Sequence, residues 1–340
     1  MSMNRSIKHV ISEHKTAFMI AFLIIMGGSA GTYFIMDYLN AQNPNQITLA
    51  TTTSTYDSGL LDYLLPKFTQ ETGVKVRVLS VGTGQAIAYG QSGDTDVILV
   101  HSRPREDAFV NDSGEKIPYG IHRACIMYND FIIIGDISNP ADLQLSDNIT
   151  TVMIKLKNAM DSGNVTFYSR GDGSGTHSKE LSLWALIGIN PENYWFAEPD
   201  KYAETGSGMA TTLLLTYEDV NDANKGYTLI DRGTWLTFNN SYTTLKVLKE
   251  SNGGEEILLN PYGFIPVNPE RHPHVKYKAV LRLGGFLTSV YGQNLIDNFR
   301  KSNEILFHAN FGFCNETLSC STTNEEVTFW TANQIEFEDL

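Results

Sequence analysis

The sequence predicts an α/β protein of two domains, preceded by a membrane-spanning segment. Three observations predict it. Beyond residue 46, strand-like and helix-like runs alternate, which means parallel strand pairing with helices on the sheet faces. The chain has 340 residues, more than one core usually organises and suited to two. One run, residues 123–135 (RACIMYNDFIIIG), is apolar over more length than one ordinary strand needs, as a strand passing between domains would be. Apolar residues make up 42% of the chain and aromatics 11%, so the chain folds rather than staying disordered.

The first element lies outside that globule. Arg5, Lys8 and Lys15 precede an uncharged stretch at residues 16–36, about the roughly 20 residues needed to cross a bilayer. Positive charge before it and Asp37 after it place residues 1–15 in the cytoplasm and the rest outside. The run is longer than the roughly 7–15 apolar residues of a cleaved signal. A retained anchor is therefore the preferred reading, and cleavage near Ala41 the alternative. No cysteine adjoins the segment, which excludes a lipoprotein-type anchor. Residues 37–46 read as a polar linker.

Strand and helix signals then follow in order. Residues 47–50 read as a strand. Leu60, Leu61, Leu64, Leu65 and Phe68 recur at helical spacing, with Gly73 as a stop. Residues 74–81 read as a second strand, GTGQAIAYGQSGD as a turn and short helix, and residues 95–100 as a third strand. After the long run at 123–135, Pro140 and the following pattern suggest a helix from Asp142 or Ser146 to about Met160. Residues 165–169 read as a strand that breaks into RGDGSGTH and then a helix. Residues 204–220 are another Gly-rich turn into a helix, followed by the strand GYTLIDRG. Residues 262–269 read as a returning strand. Residues 277–300 are helical in pattern, with breaks expected at Gly284-Gly285 and near Ser289. No internal repeat or low-complexity segment is present.

Charge narrows the partners. Removing Arg5, Lys8, Lys15 and Glu13 from 25 basic and 38 acidic residues leaves 22 and 37, a formal charge of −15. That opposes nucleic acid, which needs a basic face. It does not oppose a small anion, whose site is governed by local dipoles. Cys314 and Cys320 are close enough in sequence to form a disulfide outside the cell, or to remain two free thiols, and Cys125 stands alone. Asn111, Asn148, Asn164, Asn239 and Asn315 begin N-x-S/T sequons, which only permit surface glycosylation.

Four polar turns share one design, a strand end followed by small hydroxyl or glycine residues and then a helix. They are residues 51–54 (TTTS), 82–85 (GTGQ), 170–177 (RGDGSGTH) and 205–208 (TGSG). Each presents backbone N–H groups at a helix start, where the first donors lack intrahelical partners. Glycine allows close approach of a ligand, and Ser and Thr add neutral donors. The competing reading is plain N-capping, favoured for any one turn, but four such turns on adjacent strand ends of an α/β sheet converge on one crevice. Neutral donors plus Arg170 suit a small tetrahedral oxyanion. The competing role for Arg170 is a salt bridge to Asp172. The nucleotide motifs G-x-x-x-x-G-K-[ST] and G-x-G-x-x-G are absent.

The ordered set TTTS, VGTGQAI…GD.DVILVH, MYNDFIIIG, SRGDGSGTH..E..LW, ETGSGM, YTLIDRGTWL and NPYGFIPVNP resembles the tungstate-binding proteins of tungstate ABC transporters, the TupA type, from about residue 47 to about residue 310. The resemblance implies a two-lobed type II periplasmic-binding-protein fold, with two Rossmann-like α/β lobes joined by crossover hinge strands. The lobes would comprise residues 47–127 with 260–340, and residues 128–259. It implies a monomeric extracytoplasmic binder, not an enzyme, that captures tungstate, with molybdate as a second ligand, and delivers it to permease and ATPase subunits. It implies no cofactor and no bound metal other than the oxometallate itself. Oxyanion contacts would fall on Thr53 and Ser54, Thr83 and Gly84, Arg170, Ser174, Gly175 and Thr176, with Ser207 and Gly208 completing the cage. Two departures stand out. Ser207 replaces a common glutamine, and Gly173 stands where an acidic residue is common.

Two rivals remain at this stage: a phosphate-binding protein of an ABC importer, and a membrane-tethered oxyanion sensor. Asp172 separates phosphate from tungstate, because protonated phosphate benefits from a carboxylate acceptor and a tungstate dianion does not. The tungstate reading expects Asp172 to bond backbone or Arg170. His101 is expected to bond a neighbouring loop and His177 to line the pocket wall. No G-x-S-x-G elbow is present, and RHPHV at residues 271–275 has a surface-loop pattern.

Overall fold

The computed structural model describes residues 45–111, 117–221, 225–251, 256–312 and 324–334. The expected membrane segment at 16–36, the linker up to residue 44, and Cys314, Asn315 and Cys320 lie outside the described residues. Among the described residues no helix is long and apolar enough to cross a membrane.

The chain opens as β1 (Gln46–Thr52), α1 (Thr53–Asp57), α2 (Leu60–Thr72), β2 (Lys75–Val81), α3 (Thr83–Ser92), β3 (Val97–Val100) and α4 (Arg103–Asn111). Helix α2 forms as its spacing requires. Leu60, Leu61, Leu64 and Phe68 are buried on one face, and Gly73 ends the helix at a φ of 69°, a left-handed position that glycine tolerates. Next come β4 (Ala124–Asp136), α5 (Ile149–Asp161), β5 (Val165–Ser169), α6 (Gly175–Ala185), α7 (Pro191–Tyr194), β6 (Tyr202–Glu204), α8 (Met209–Asn221), β7 (Lys225–Asp231), α9 (Arg232–Phe238) and β8 (Leu245–Lys249). The chain returns through β9 (Leu259–Pro266), α10 (Tyr277–Thr288), α11 (Val290–Asp297), β10 (Arg300–Lys301), β11 (Glu304–Ile305), β12 (His308–Ala309) and α12 (Asn324–Ala332).

One mixed sheet carries the order β2-β1-β3-β9-β4-β7-β5-β6, with β8 and β12 also pairing β4. Strand β4 is the pivot. Its first half pairs antiparallel with β9, Asn129 opposite Asn260, and with β12. Its second half pairs with β7, Phe131 opposite Asp231, and with β8. The long apolar run is therefore one strand serving two halves of the sheet, and it is buried almost throughout. Parallel pairs lie on either side, β1 with β3 and β5 with β6 and β7. Phe68, Phe264, Phe286 and Trp330 anchor one core cluster, and Phe167, Trp184, Trp195 and Tyr202 another.

Three expectations need correction. Helix α5 starts at Ile149, not at Asp142 or Ser146. Asn148 caps it by accepting the Thr151 N–H, and Asp142 sits at a φ of 52°, outside helical geometry. Helix α10 runs unbroken through Gly284 and Gly285. The glycines serve close packing: a Cβ there would lie 2.1 Å from the Trp330 ring and 2.2 Å from the Asn333 carbonyl. The break falls only at Ser289, whose hydroxyl caps α11. Third, Cys125, taken as the lone cysteine, is disulfide-bonded. β12 runs beside Met127 and Tyr128, and the Asn310 amide contacts the Cys125 Sγ.

Candidate functional site

The four turns fold as strand-to-helix junctions. At α1, Thr52 Oγ1 accepts the Thr55 N–H and lies 3.2 Å from Ser54 Oγ, while Thr53 and Ser54 occupy the first turn. At α3 the cap is Gly82, which offers no side chain, and the first backbone bond is Ala86 N–H to Gly82 O. The N–H groups of Thr83 and Gly84 thus face no intrahelical acceptor. At α6, Ser174 Oγ accepts the His177 N–H and its hydroxyl bonds Asp172, leaving the Gly175 and Thr176 N–H groups to donate. Helices α3, α6 and α8 each bring a positive dipole end.

The loop between β5 and α6 is held from below. Glu180 is buried and accepts from Ser169 Oγ at 2.5 Å, Tyr202 OH at 2.8 Å and Trp184 Nε1 at 3.0 Å. Ser169 Oγ in turn accepts the Gly171 N–H. Gly171 and Gly173 turn the loop at φ values of 57° and 67°, which only glycine adopts without strain. The salt bridge weighed against an anion role for Arg170 is present. Its Nε and Nη2 donate to Asp172 Oδ2 at 3.1 and 2.5 Å. This uses one edge of the guanidinium and leaves Nη1 and the outer Nη2 proton. Asp172 Oδ1 accepts the Ser174 N–H at 3.0 Å. Burial favours the neutral acid, but hydrogen bonds from Ser174 and the charge of Arg170 hold its carboxyl below the ordinary value.

The fourth turn departs from expectation. Ser207 donates its hydroxyl to the Thr205 carbonyl and its N–H to Thr205 Oγ1, so both donors are spent inside the turn. Gly208 accepts the Thr212 N–H at the start of α8. The turn is fastened to the Arg170 loop through Thr205 N–H to Ser169 O and Thr205 Oγ1 to Arg170 O.

The two halves of the sheet meet at these loops. A Cβ on Gly175 would lie 3.4 Å from His101 Cε1. His101 follows β3, and its Nδ1 is 2.9 Å from Asn260 Oδ1, a partner on strand β9 rather than on the neighbouring loop expected. Asn260 Nδ2 donates to Asn129 Oδ1 and Tyr262 OH, and Tyr262 bonds the Thr55 hydroxyl. Because the Asn260 amide donates on that side, its oxygen accepts and His101 Nδ1 carries the proton. Burial holds the imidazole below its usual pKa. On the other flank Arg105 Nη2 donates to the Gly173 carbonyl at 3.1 Å, and Nη1 lies 3.8 Å from a Cβ placed on Gly84. An unbroken series of contacts therefore joins the α1, α3, α6 and α8 turns. Glu180 and Asn260 fall inside the motifs SRGDGSGTH..E..LW and NPYGFIPVNP without being singled out for a role, and Arg105 carries no sequence signal.

His177 is buried at 7% exposure, lies on the wall as expected, and accepts the Gly173 N–H at Nδ1. Its Nε2 and the carboxylates of Glu192 and Glu204 lie within 4.8 Å of one another, a spacing that would suit a cation. With Nδ1 accepting a hydrogen bond, however, the ring proton sits on Nε2 and faces Glu204 at 3.8 Å. Nε2 is thus a donor toward the carboxylates, not a metal ligand.

Residues 40–290 match the model of the PBP superfamily domain. A putative ABC transporter anion-binding protein of Haloferax volcanii is 42% identical over 266 residues, 78% of this chain and 72% of that protein. The tungstate-binding protein TupA of Peptoclostridium acidaminophilum is 38% identical over 287 residues, 84% of this chain and 92% of that protein. Among solved structures, the tungstate-binding protein TupA of Desulfovibrio alaskensis superposes with a TM-score of 0.66 at 37% identity, covering 78% of this chain and 99% of that one.

Proposed function

The chain belongs to the PBP superfamily, and from that premise we propose that it is the solute-binding protein of a tungstate ABC importer. It binds and delivers tungstate, with molybdate as a second ligand, and catalyses no reaction. The anion sits between the α3 turn on one side and Arg170 with the α6 start on the other. Contacts from both sides favour the closed arrangement over the open one. Thr83, Gly84, Gly175 and Thr176 supply neutral donors, Ser174 opens the helix beside them, Thr53 and Ser54 form the floor, and Gly208 the flank. Ser207 acts through the turn's shape rather than as a donor.

The observation that carries this reading is the state of Asp172. Both of its oxygens are occupied, by Arg170 and by the Ser174 N–H, and it is held ionised. It has no acceptor role left for a protonated phosphate, and its charge is compensated before a dianion arrives. Thermal-shift titration with tungstate, molybdate, sulfate and phosphate tests this. Tungstate at about a hundredfold excess over Kd is expected to raise the melting temperature by roughly 5 °C, with phosphate inert at the same concentration. A phosphate shift equal to that of tungstate would transfer the assignment to the phosphate class.

The finer reading of location is that residues 16–36 hold the binding domain on the outer face of the membrane. Deleting the chain before Asn40 is expected to release it from membrane pellets as a monomer that still binds tungstate. Pelleting of the truncated form would remove the anchor from the account.

A further inference from the structure

We propose that Arg105 is the latch of the cleft: it spans from the α3 side to the anion loop, holds the halves together once the oxyanion is in place, and thereby sets the rate of release. The inference rests on the tungstate reading above but concerns a residue outside the anion cage. Arg105 lies in the first turn of α4, on the half of the sheet that holds β1 and β3. Its Nη2 donates to the carbonyl of Gly173, 68 residues away, in the loop that precedes α6 on the other half. Its Nη1 approaches Gly84, whose N–H opens α3. One guanidinium therefore bonds one wall and lies beside the other.

Three features separate this contact from an incidental surface bond. First, among the described residues Arg105 has no carboxylate partner, whereas its neighbour Arg103 pairs with Asp107 at 2.7 Å. The fork of Arg105 is spent across the cleft rather than on its own helix. Second, the acceptor is placed for it. The Gly173 N–H is committed to His177 Nδ1, and Gly173 holds a left-handed φ of 67°, so the residue whose carbonyl Arg105 meets is fixed in the turn. Third, Arg170 shares its charge with Asp172, whereas Arg105 stands beside the Gly173–Ser174 junction with no carboxylate on it among the described residues. A dianion held there strengthens the latch, and the latch retards its escape. Arginine suits this position because two of its nitrogens reach different walls at once; a lysine ammonium is a single point.

Stopped-flow binding and chase-out of tungstate, read by tryptophan fluorescence on the full chain, tests the proposal with Arg105→Ala and Arg105→Lys. The latch predicts that Arg105→Ala raises the dissociation rate about tenfold, the scale of one charge-assisted hydrogen bond in a partly exposed setting. Arg105→Lys should fall near alanine in dissociation rate while keeping more of the association rate, because charge survives and the fork does not. The urea midpoint of the ligand-free protein should not move for either variant. Dissociation unchanged within about twofold in Arg105→Ala, while Arg170→Ala still abolishes binding, would overturn the latch and leave the site standing. Wild-type protein that binds no tungstate would overturn the underlying reading, and the latch with it.

Discussion

Arg170→Ala is expected to weaken tungstate binding about a hundredfold, equivalent to roughly 3 kcal/mol for a two-pronged charge-assisted contact. The melting temperature of the ligand-free protein should hardly change. The reason lies in how the loop is built. Arg170 has one guanidinium edge on Asp172, and the other edge keeps Nη1 and the outer Nη2 proton as donors. Removing the side chain deletes the charge that meets the anion. It does not release Asp172, whose second oxygen stays on the Ser174 N–H, or the loop, which Glu180 and Ser169 hold from below. Partly exposed ion pairs of this kind contribute about 0–1 kcal/mol to stability. Arg170→Lys should give an intermediate loss, because charge without the planar fork recovers only part of the contact. Calorimetry showing unchanged affinity in the alanine variant would remove Arg170 from the site.

The second large effect belongs to Glu180. Three buried donors, from Ser169, Tyr202 and Trp184, converge on its carboxylate. Glu180→Ala strands all three, and at about 1–3 kcal/mol for each unsatisfied group the loss should reach about 3–5 kcal/mol after relaxation. The loop above, including Arg170, should loosen with it. Glu180 also makes stability depend on pH. Burial pushes its carboxyl up from 4.5 to about 7, against the pull of the three donors. Below the lower value both folded and unfolded chains hold the proton. Between the two values the unfolded chain releases it first, so this group's contribution falls as pH rises, and the loss is complete above about 7. Glu180→Gln keeps an acceptor and cannot titrate. Its melting temperature relative to wild type should therefore climb between about pH 5 and pH 8. A difference that stays flat across that window would contradict the buried-carboxylate account.

Much of this molecule was legible because its signals are local. The strand at residues 165–169 ends where the run breaks into glycines, and Gly73 stops α2 as a left-handed cap. The passage of β4 between two halves of the sheet follows from an apolar run too long for one. What escaped was set by tertiary contact. Glycines 284 and 285 look like helix breakers in sequence, yet they are clearances for Trp330 and Asn333, residues more than 40 positions away. The disulfide at Cys125 has no local mark in the apolar run that holds it. The start of α5 lies later than read because Asp142 and Ser146 look like caps, while the Asn148 side chain performs that role.

The site divides in the same way. The residues that open helices, Thr83, Gly84 and Ser174 to Thr176, were visible because hydroxyl and glycine residues after a strand have few other uses. Ser207 was visible for the same reason and wrongly weighted: Thr205, two residues away, takes both of its donors. Arg105 was invisible because its partner lies across the cleft, and Glu180, though inside a quoted motif, gave no sign of its role because its partners lie beneath the loop. A charged residue in a helical stretch carries no mark of which wall it will reach.

The central claim is that donors from both halves of the sheet grip one oxometallate. Anomalous diffraction at a tungsten absorption edge, from crystals of the protein grown with tungstate, tests it most directly. The account predicts a single tungsten peak whose oxygens lie within hydrogen-bond distance of Thr83 or Gly84 on one side and of Arg170 and Ser174 to Thr176 on the other. A peak bound by one half alone, or seated away from the α6 start, would contradict it.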